Sequence, residues 1–235
     1  MRKVDPVRHD ERRREILDAA ARCFARDGLR GASIADICTE AAMSPGHLYH
    51  YFASKEAIVR AMTQDGLDRA SARFAEIMKS SNAVEALLAE IERPKPVRAR
   101  PSPVVLLDML AEAGRNPAIG TIMREHSRGL LALIGDFLRK EQEHGHVDPS
   151  LDAQLTATIL LGVLDGAKTL TLRDPKLDVT KAAQLLRALI GRFLEPRREC
   201  SKTRTLNGKI GRSDNGAPRR SHRGAGTSAD RSTTK

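Results

Sequence analysis

Apolar residues recur every three to four positions along most of the chain up to about residue 196, which is the period of amphipathic α-helices. No βαβ alternation, no GxGxxG fingerprint and no internal repeat interrupts this pattern. The first periodic segment covers residues 12–27, and Gly28 follows at the position where a helix would stop. We therefore expect an all-α protein. The apolar stripe of this first helix comprises Ile16, Leu17, Ala20, Cys23 and Phe24.

Three serines stand before the next periodic segments, where a hydroxyl can cap the free amides of a first helical turn. Asp36, three residues after the first serine, completes the capping-box pattern. Pro45, directly after the second serine, suits the first helical position because its missing N–H costs nothing there. The predicted helices are residues 33–41, residues 44–52 and a long helix from residue 54 towards residue 78.

The second half of the chain is also predicted to be helical. Residues 92–103 hold four of the eleven prolines and four basic residues, so this stretch is predicted to be an exposed loop. Asp148-Pro149 repeats the cap-then-proline start of an earlier helix. The predicted helices are residues 104–115, 117 to about 144, 148 to about 173, and 178–194.

The net charge of +10 lies mostly outside the predicted helices. Residues 1–60 hold 11 basic and 9 acidic side chains, residues 61–196 hold 18 of each, and residues 197–235 hold 11 against 3. The last segment has few apolar residues, so we expect it to be a disordered basic tail. This tail is either a solvated extension without a role or a second arm that tethers the protein to DNA. The predicted domains are residues 1–60, residues 61–196 and this tail.

The second and third helices are separated by about two residues, a spacing that suits a helix-turn-helix. Both tyrosines and two of the seven histidines fall in the third helix, "SPGHLYHYF", which would lie in the DNA major groove. Leu48 and Phe52 should face the core, while the helix tip approaches base edges and the flanking residues contact phosphates. The predicted DNA-binding residues are Ser33, Ser44, Pro45, Gly46, His47, Tyr49, His50, Tyr51 and Lys55.

The stretch "ASIADICTEAAMSPGHLYHYFASKEAIV" resembles the DNA-binding signature of TetR-family repressors, over about residues 13–62. Ala42-Met43 departs from the Gly-Val that is usual in that family. "DMLAEAGRNPAI" and "GHVDPSLDAQLTATILLGVLDGAKTL" are similar to the C-terminal halves of the BetI-like branch. The resemblance implies an N-terminal three-helix DNA-binding domain followed by an α-helical domain that binds a small molecule and forms a homodimer.

The resemblance implies a repressor that binds a palindromic double-stranded operator and is released by a small-molecule effector. The predicted effector lining is Met62, Met78, Met109, Met123, Leu131 and Leu161, and the predicted dimer interface is Leu160, Val163, Ala167, Leu186 and Ile190. Choline is disfavoured as effector because residues 61–196 offer only three phenylalanines for an aromatic cage.

Other classes of function have less support in the sequence. Residues 104–194 show no nucleophile–base constellation, so we do not expect an enzyme, although a DNA-tethered enzyme and a ligand-independent architectural protein remain alternatives. His144 and His146 lack a third and fourth ligand at usable spacing, so no metal site and no cofactor are predicted. No run approaches about 18 apolar residues and the start has no apolar h-region, which favours a cytoplasmic location without a membrane partner.

Overall fold

The computed structural model describes residues 6–93 and 102–196, and this part of the chain contains helices and no strand. The all-α prediction is therefore confirmed. The predicted tail and most of the predicted proline-rich loop lie outside the described residues. The first four helices are α1 (Pro6–Gly31), α2 (Ile34–Glu40), α3 (Pro45–Tyr51) and α4 (Lys55–Ile77).

The predicted starts of α2, α3 and α4 are confirmed by their caps, whereas α1 begins at Pro6, before the predicted residue 12. Ser33 and Asp36 form the reciprocal capping box at the start of α2. Ser44 and Ser54 accept hydrogen bonds from the amides of His47 and Ala57, and Pro45 occupies the first turn of α3. The end of α1 also follows the prediction in part, because Gly28 has a non-helical φ of 76° that kinks the helix before its last residues.

The C-terminal region contains α5 (Ala83–Glu92), α6 (Pro103–Ala113), α7 (Pro117–Glu143), α8 (Ala153–Lys168), α9 (Leu170–Arg173) and α10 (Val179–Leu194). The sequence pattern did not identify α5 as a separate helix. The predicted start at Asp148-Pro149 is wrong, because Asp152 caps α8 and its carboxylate accepts from the amide of Leu155. Asp148 instead forms a tight turn, in which Oδ1 accepts from the amide of Ser150 at 2.8 Å.

Two hydrophobic clusters fill the interior, and α7 contributes to both. The first joins α1–α4 to α6 and to the N-terminal half of α7; the second joins the rest of α7 to α5, α8 and α10. Gly120 permits the close approach of α7 to α6, since a Cβ at this position would lie 2.7 Å from the carbonyl oxygen of Ala113. Because the first cluster includes residues of α1–α4 as well as of α6 and α7, it crosses the predicted domain boundary near residue 60.

The segment Ala153–Arg173 is long and apolar enough to cross a membrane, judged by length and composition alone. Only 22% of its most apolar window is buried within the chain. The segment also contains Asp165 and Lys168, which form an ion pair at 2.7 Å. A helix whose apolar side is covered by a protein partner meets the same criterion.

The turn between α2 and α3 carries local strain at Ala42, whose φ of 50° lies in the left-handed region. Replacing Ala42 with glycine should raise the free energy of unfolding by about 1 kcal/mol, because glycine adopts this conformation without the Cβ penalty. Urea denaturation of both proteins checks this. The opposite substitution at another left-handed position, Gly145→Ala at a φ of 74°, should lower the free energy of unfolding by a similar amount. Equal stabilities of Ala42→Gly and the parent would contradict the strain.

Candidate nucleic-acid interface

The turn between α2 and α3 fixes the relative orientation of the two helices. The amide of Met43 donates to the carbonyl of Cys38 at 3.0 Å, and the amide of Ala42 donates to that of Thr39 at 3.2 Å. These two bonds and the left-handed Ala42 form a Schellman motif. The chain is thereby reversed within a few residues, and α3 begins directly after α2 ends, as in a helix-turn-helix.

Buried and exposed residues alternate along α3 in the way that a groove-binding helix requires. Leu48 is fully buried and Phe52 is 4% exposed, so both anchor the helix to the first hydrophobic cluster as predicted. Tyr49 is 53% exposed. The other exposed residues of this face are Ser44, Pro45, Gly46, His47 and His50. The structure thus places six of the nine predicted DNA-binding residues on one contiguous solvent-facing stretch.

Tyr51 is only partly exposed, because its ring packs among three imidazoles. The ring centroids of His9, His47 and His50 lie 4.8, 5.5 and 5.7 Å from that of Tyr51. His9 belongs to α1 and was not among the predicted residues. His9 lies in a stretch of mixed charge that carries no sign of this contact, and only the fold shows that α1 passes next to α3.

Three predicted residues already have partners within the chain. The hydroxyl of Ser33 donates to the carboxylate of Asp36 at 2.6 Å, which together with the Ser33 amide lowers the pKa of that carboxyl. The hydroxyl of Ser44 caps α3. The ammonium of Lys55 donates to the carbonyl oxygen of Ala32 at 3.1 Å, which fixes the start of α4 against the end of α1. Lys55 therefore holds the domain together, with two N–H donors left over.

The N-terminal helices α1–α3 are tied to the C-terminal region by a hydrogen bond as well as by α4. Directly after the kink at Gly28, the amide of Leu29 donates to the carboxylate of Asp108 on α6. Val105 and Met109 of α6 belong to the same hydrophobic cluster as the core of α1. A movement of α6 would therefore displace the end of α1, a connection that the sequence pattern did not reveal.

The predicted effector lining does not surround one cavity. Met62, Met109 and Met123 belong to or pack against the first hydrophobic cluster, whereas Met78, Leu131 and Leu161 pack against the second. A cleft of about 380 Å³ between α6 and α7 includes Met123 and Leu131 from this set. The full lining of the cleft is Leu110, Ala113, Gly120, Met123, Arg124, Ser127, Arg128 and Leu131.

A second, smaller cavity of about 60 Å³ lies between α4 and α7 beside His126. Burial lowers the pKa of His126, and its Nδ1 atom is buried with no hydrogen-bond partner in the described part of the chain. This volume is far below the range of about 300–1,000 Å³ that is typical of ligand pockets. The larger cleft is therefore the better candidate for an effector site.

Two of the five residues predicted for the dimer interface lie in the core of the chain itself. Leu160 and Ile190 are 6% and 3% exposed and belong to the chain's own core, so they offer no surface to a partner. Leu186 is half-buried against the same cluster, and Val163 and Ala167 are also half-buried. The exposed apolar residues of α8 and α10 are Leu155, Ile159, Leu185, Leu189 and Phe193.

Residues 16–62 match the family model of bacterial regulatory proteins of the tetR family. Residues 81–195 match the model of the C-terminal region of BetI-type transcriptional repressors. The chain belongs to the TetR family of transcriptional regulators. This family assignment confirms the resemblance seen in the sequence, and it identifies the exposed face of α3 as part of a DNA-binding domain. The family is one of regulators rather than enzymes.

Individual relatives agree with the family models. The transcriptional regulator UidR of Escherichia coli K12 is 30% identical over 182 residues, which cover 77% of this chain and 92% of UidR. The structure is similar to that of Salmonella enterica GusR, with 25% identity, a TM-score of 0.66 and coverage of 83% and 99% of the two chains. A Saccharomonospora viridis regulator solved with choline has 26% identity, a TM-score of 0.64 and coverage of 80% and 100%.

Gly46 offers a test that separates folding from DNA binding. No atom lies within 4 Å of a Cβ built at this position, so Gly46→Ala should stabilise α3 by up to about 1 kcal/mol through helix propensity. The added methyl group projects from the exposed tip of α3, and it should weaken operator binding by roughly 1–3 kcal/mol. Electrophoretic mobility shifts on an operator recovered by selection from random DNA provide the measurement.

The matched control is Ser71→Ala, which also improves helix propensity but lies on an exposed part of α4 away from α3. This variant should keep the parental operator affinity. If Gly46→Ala binds the operator as tightly as the parent, the tip of α3 does not approach the bases.

Proposed function

We propose that this TetR-family regulator is a cytoplasmic homodimeric repressor that binds a palindromic operator and leaves it when a small anionic amphiphile binds. The observation that carries the DNA-binding role is the exposed face of α3, which holds polar aromatic residues on a helix anchored by Leu48 and Phe52. In this proposal His47 reads base edges, while Tyr49 and His50 contact phosphates and set the register.

A dimer is supported by the uncovered apolar faces of α8 and α10. Leu185 and Leu189 are 72% and 59% exposed, and with Phe193 they form a stripe at four-residue spacing along α10. Leu155 and Ile159 form the corresponding stripe on α8. Exposed apolar stripes on two helices that flank one core cluster are typical of an interface between protein chains.

Two glycines favour a second copy of this helix pair as the partner. Gly162 and Gly166 are exposed on α8, and a Cβ at either position would meet no atom within 4 Å. Their backbone is therefore open to close approach by another helix. A twofold dimer would also supply the two recognition helices that a palindrome requires, about one DNA turn or ~34 Å apart.

Leu189→Glu should convert the protein to a monomer, because a carboxylate would be placed in the centre of the apolar stripe. The variant should keep its helical circular dichroism and lose operator affinity by about 100-fold or more, since the two half-sites are no longer bound together. Sedimentation velocity and binding to whole and half operators provide the measurements. Gln184→Glu, on another exposed side of α10, should remain dimeric.

Two outcomes would contradict this part of the proposal. A dimeric Leu189→Glu variant would show that the α8–α10 face is not the interface. A monomeric variant that still binds the operator tightly would show that dimerisation does not control DNA binding, as expected for the alternative of an architectural DNA-binding protein.

The cleft between α6 and α7 is the proposed effector site, and its charge indicates the class of effector. Its walls are mainly apolar, but Arg124 and Arg128 lie one turn apart on α7 and line it together. Arg124 bonds only the hydroxyl of Thr121, and neither arginine forms an ion pair within the part of the chain that the structure describes.

Most other arginines that the structure describes in the C-terminal region are paired with carboxylates, as Arg73 and Arg187 are. Two unpaired guanidinium groups beside an apolar cleft favour an apolar chain that ends in a carboxylate or phosphate, because arginine binds such groups with charge-assisted hydrogen bonds. The choline bound by the S. viridis regulator is a cation and would be repelled at this position.

The same cleft is connected to the DNA-binding unit. Leu110 and Ala113 of its wall lie on α6, which also carries Asp108, the acceptor for the amide of Leu29 at the end of α1. A ligand that binds better to a displaced α6 would shift the position of α1 and of the helix-turn-helix. Operator affinity would then fall by as much as the differential affinity of the ligand for the two states allows.

A matched pair of amphiphiles tests the charge of the site. Decanoate should raise the thermal midpoint and weaken operator binding, whereas decyltrimethylammonium should do neither. Arg128→Gln should weaken decanoate binding about tenfold or more through loss of a charge-assisted hydrogen bond. Arg173→Gln, an exposed arginine of α9 away from the cleft, is the control. Preferential binding of the cation would contradict the assignment.

A further inference from the structure

The turn that follows α7 brings three potential metal ligands together. Gly145 has a φ of 74°, its amide donates to the carbonyl of Gln142 at 3.0 Å, and the amide of His146 donates to that of Glu141 at 2.9 Å. These bonds form a Schellman motif, which returns the chain over the last turn of the helix. His146 is thereby placed beside Glu141, and His144 lies one helical turn from it.

Glu141 is 1% exposed, although a carboxylate is costly to bury without a compensating charge. Its two oxygens lie 3.2 Å from His144 Nδ1 and 2.8 Å from His146 Nδ1. Within residues 6–93 and 102–196, no lysine or arginine forms an ion pair with Glu141. The two imidazoles are therefore the side chains that bond this buried carboxylate in the described part of the chain.

We propose that Glu141, His144 and His146 bind a divalent transition-metal ion, with Zn²⁺ as the representative of the class. Two imidazole nitrogens and one carboxylate form a ligand set that suits zinc and its neighbours rather than Mg²⁺ or Ca²⁺. Ligand atoms about 2.1 Å from a tetrahedral zinc lie about 3.4 Å apart. The three ligand atoms here lie within 4.8 Å of one another, so small side-chain movements complete the site.

The surroundings make the site both rigid and accessible. Gln142 Nε2 donates to the carbonyls of Asp148 at 3.0 Å and Leu151 at 2.8 Å, which holds the turn in place. The histidine side chains are 52% and 41% exposed, so an ion can enter and a water molecule can serve as fourth ligand. The sequence argument against a metal site counted only the two histidines, whereas the fold places a Glu141 oxygen within reach of both.

The site joins three elements of the C-terminal region. Glu141 lies on α7, the histidines lie in the connection towards α8, and the amide of Asp148 donates to the carbonyl of Leu194 at the end of α10 at 2.9 Å. A bound ion would replace two hydrogen bonds with coordinate bonds and neutralise the buried carboxylate. It would therefore stabilise the end of the region from which α8 and α10 present their apolar faces.

Titration of the metal-free, full-length protein with ZnCl₂ tests the proposal by calorimetry, and Co²⁺ absorption in the visible range reports the ligand geometry. We expect one ion per chain, a raised thermal midpoint and the d–d bands of a four-coordinate Co²⁺. The double variant His144→Ala/His146→Ala should lose at least about 100-fold in affinity, beyond the effect that is typical of removing an outer-shell partner. Because this variant also removes both side-chain partners of the buried Glu141, circular dichroism checks that its helices are kept.

A control variant tests whether potential ligands of the C-terminal segment bind the zinc ion instead. Cys200→Ser/His222→Ala removes a cysteine and a histidine outside the described residues, and this variant should keep the parental zinc affinity. Glu141→Gln should weaken zinc binding without raising the affinity for Mg²⁺. Absence of saturable binding, or binding that survives the double histidine substitution, would overturn the proposal. Operator binding does not enter these measurements, so the result is independent of the proposed repressor function.

Discussion

The hydrophobic cluster that joins α1–α4 to α6 and α7 is the constraint on which the rest of this structure depends. Leu48 and Phe52 fix the recognition helix to it, and Val105, Met109 and Met123 extend it into the C-terminal region. Because protein interiors are close-packed, α6 cannot move without disturbing the side chains of α1 that it contacts. The helix-turn-helix is therefore part of a continuous core rather than a separate unit on a flexible linker.

This continuity gives a physical basis for regulation by ligands. The α6–α7 cleft is lined in part by Met123 and Ala113, which belong to or pack against this cluster, and the bond from the amide of Leu29 to Asp108 adds a directional contact. Packed helices respond to a ligand by small shifts between discrete arrangements rather than by continuous deformation. In the proposed mechanism, α6 transmits such a shift because it carries both Asp108 and part of the cleft wall.

The two Schellman turns show how the same local geometry serves different purposes. Between α2 and α3 the left-handed position is occupied by Ala42, and the turn orients the recognition helix at some cost in backbone strain. After α7 the corresponding position is occupied by Gly145, and the turn places two histidines beside a buried carboxylate. In both cases the backbone hydrogen bonds of the turn determine which side chains meet.

The sequence by itself determined the helical class, the caps formed by Ser33, Ser44 and Ser54, and the helix-turn-helix with Leu48 and Phe52 inward. These features depend on residues a few positions apart, where helical periodicity and capping chemistry act. The missed helix α5 and the false start at Asp148 show the limit of that local information, since a cap-then-proline pattern also suits a turn.

Only the tertiary structure decided which side of each amphipathic helix faces the core. Leu160 and Ile159 are adjacent and equally apolar, yet the first is 6% exposed and the second 53%. A helix that is apolar on more than one side does not reveal which side its own chain covers. The meeting of His9 with Tyr51, of Asp108 with Leu29 and of Glu141 with His146 likewise depended on packing and chain reversal, which bring together residues that sequence spacing does not relate.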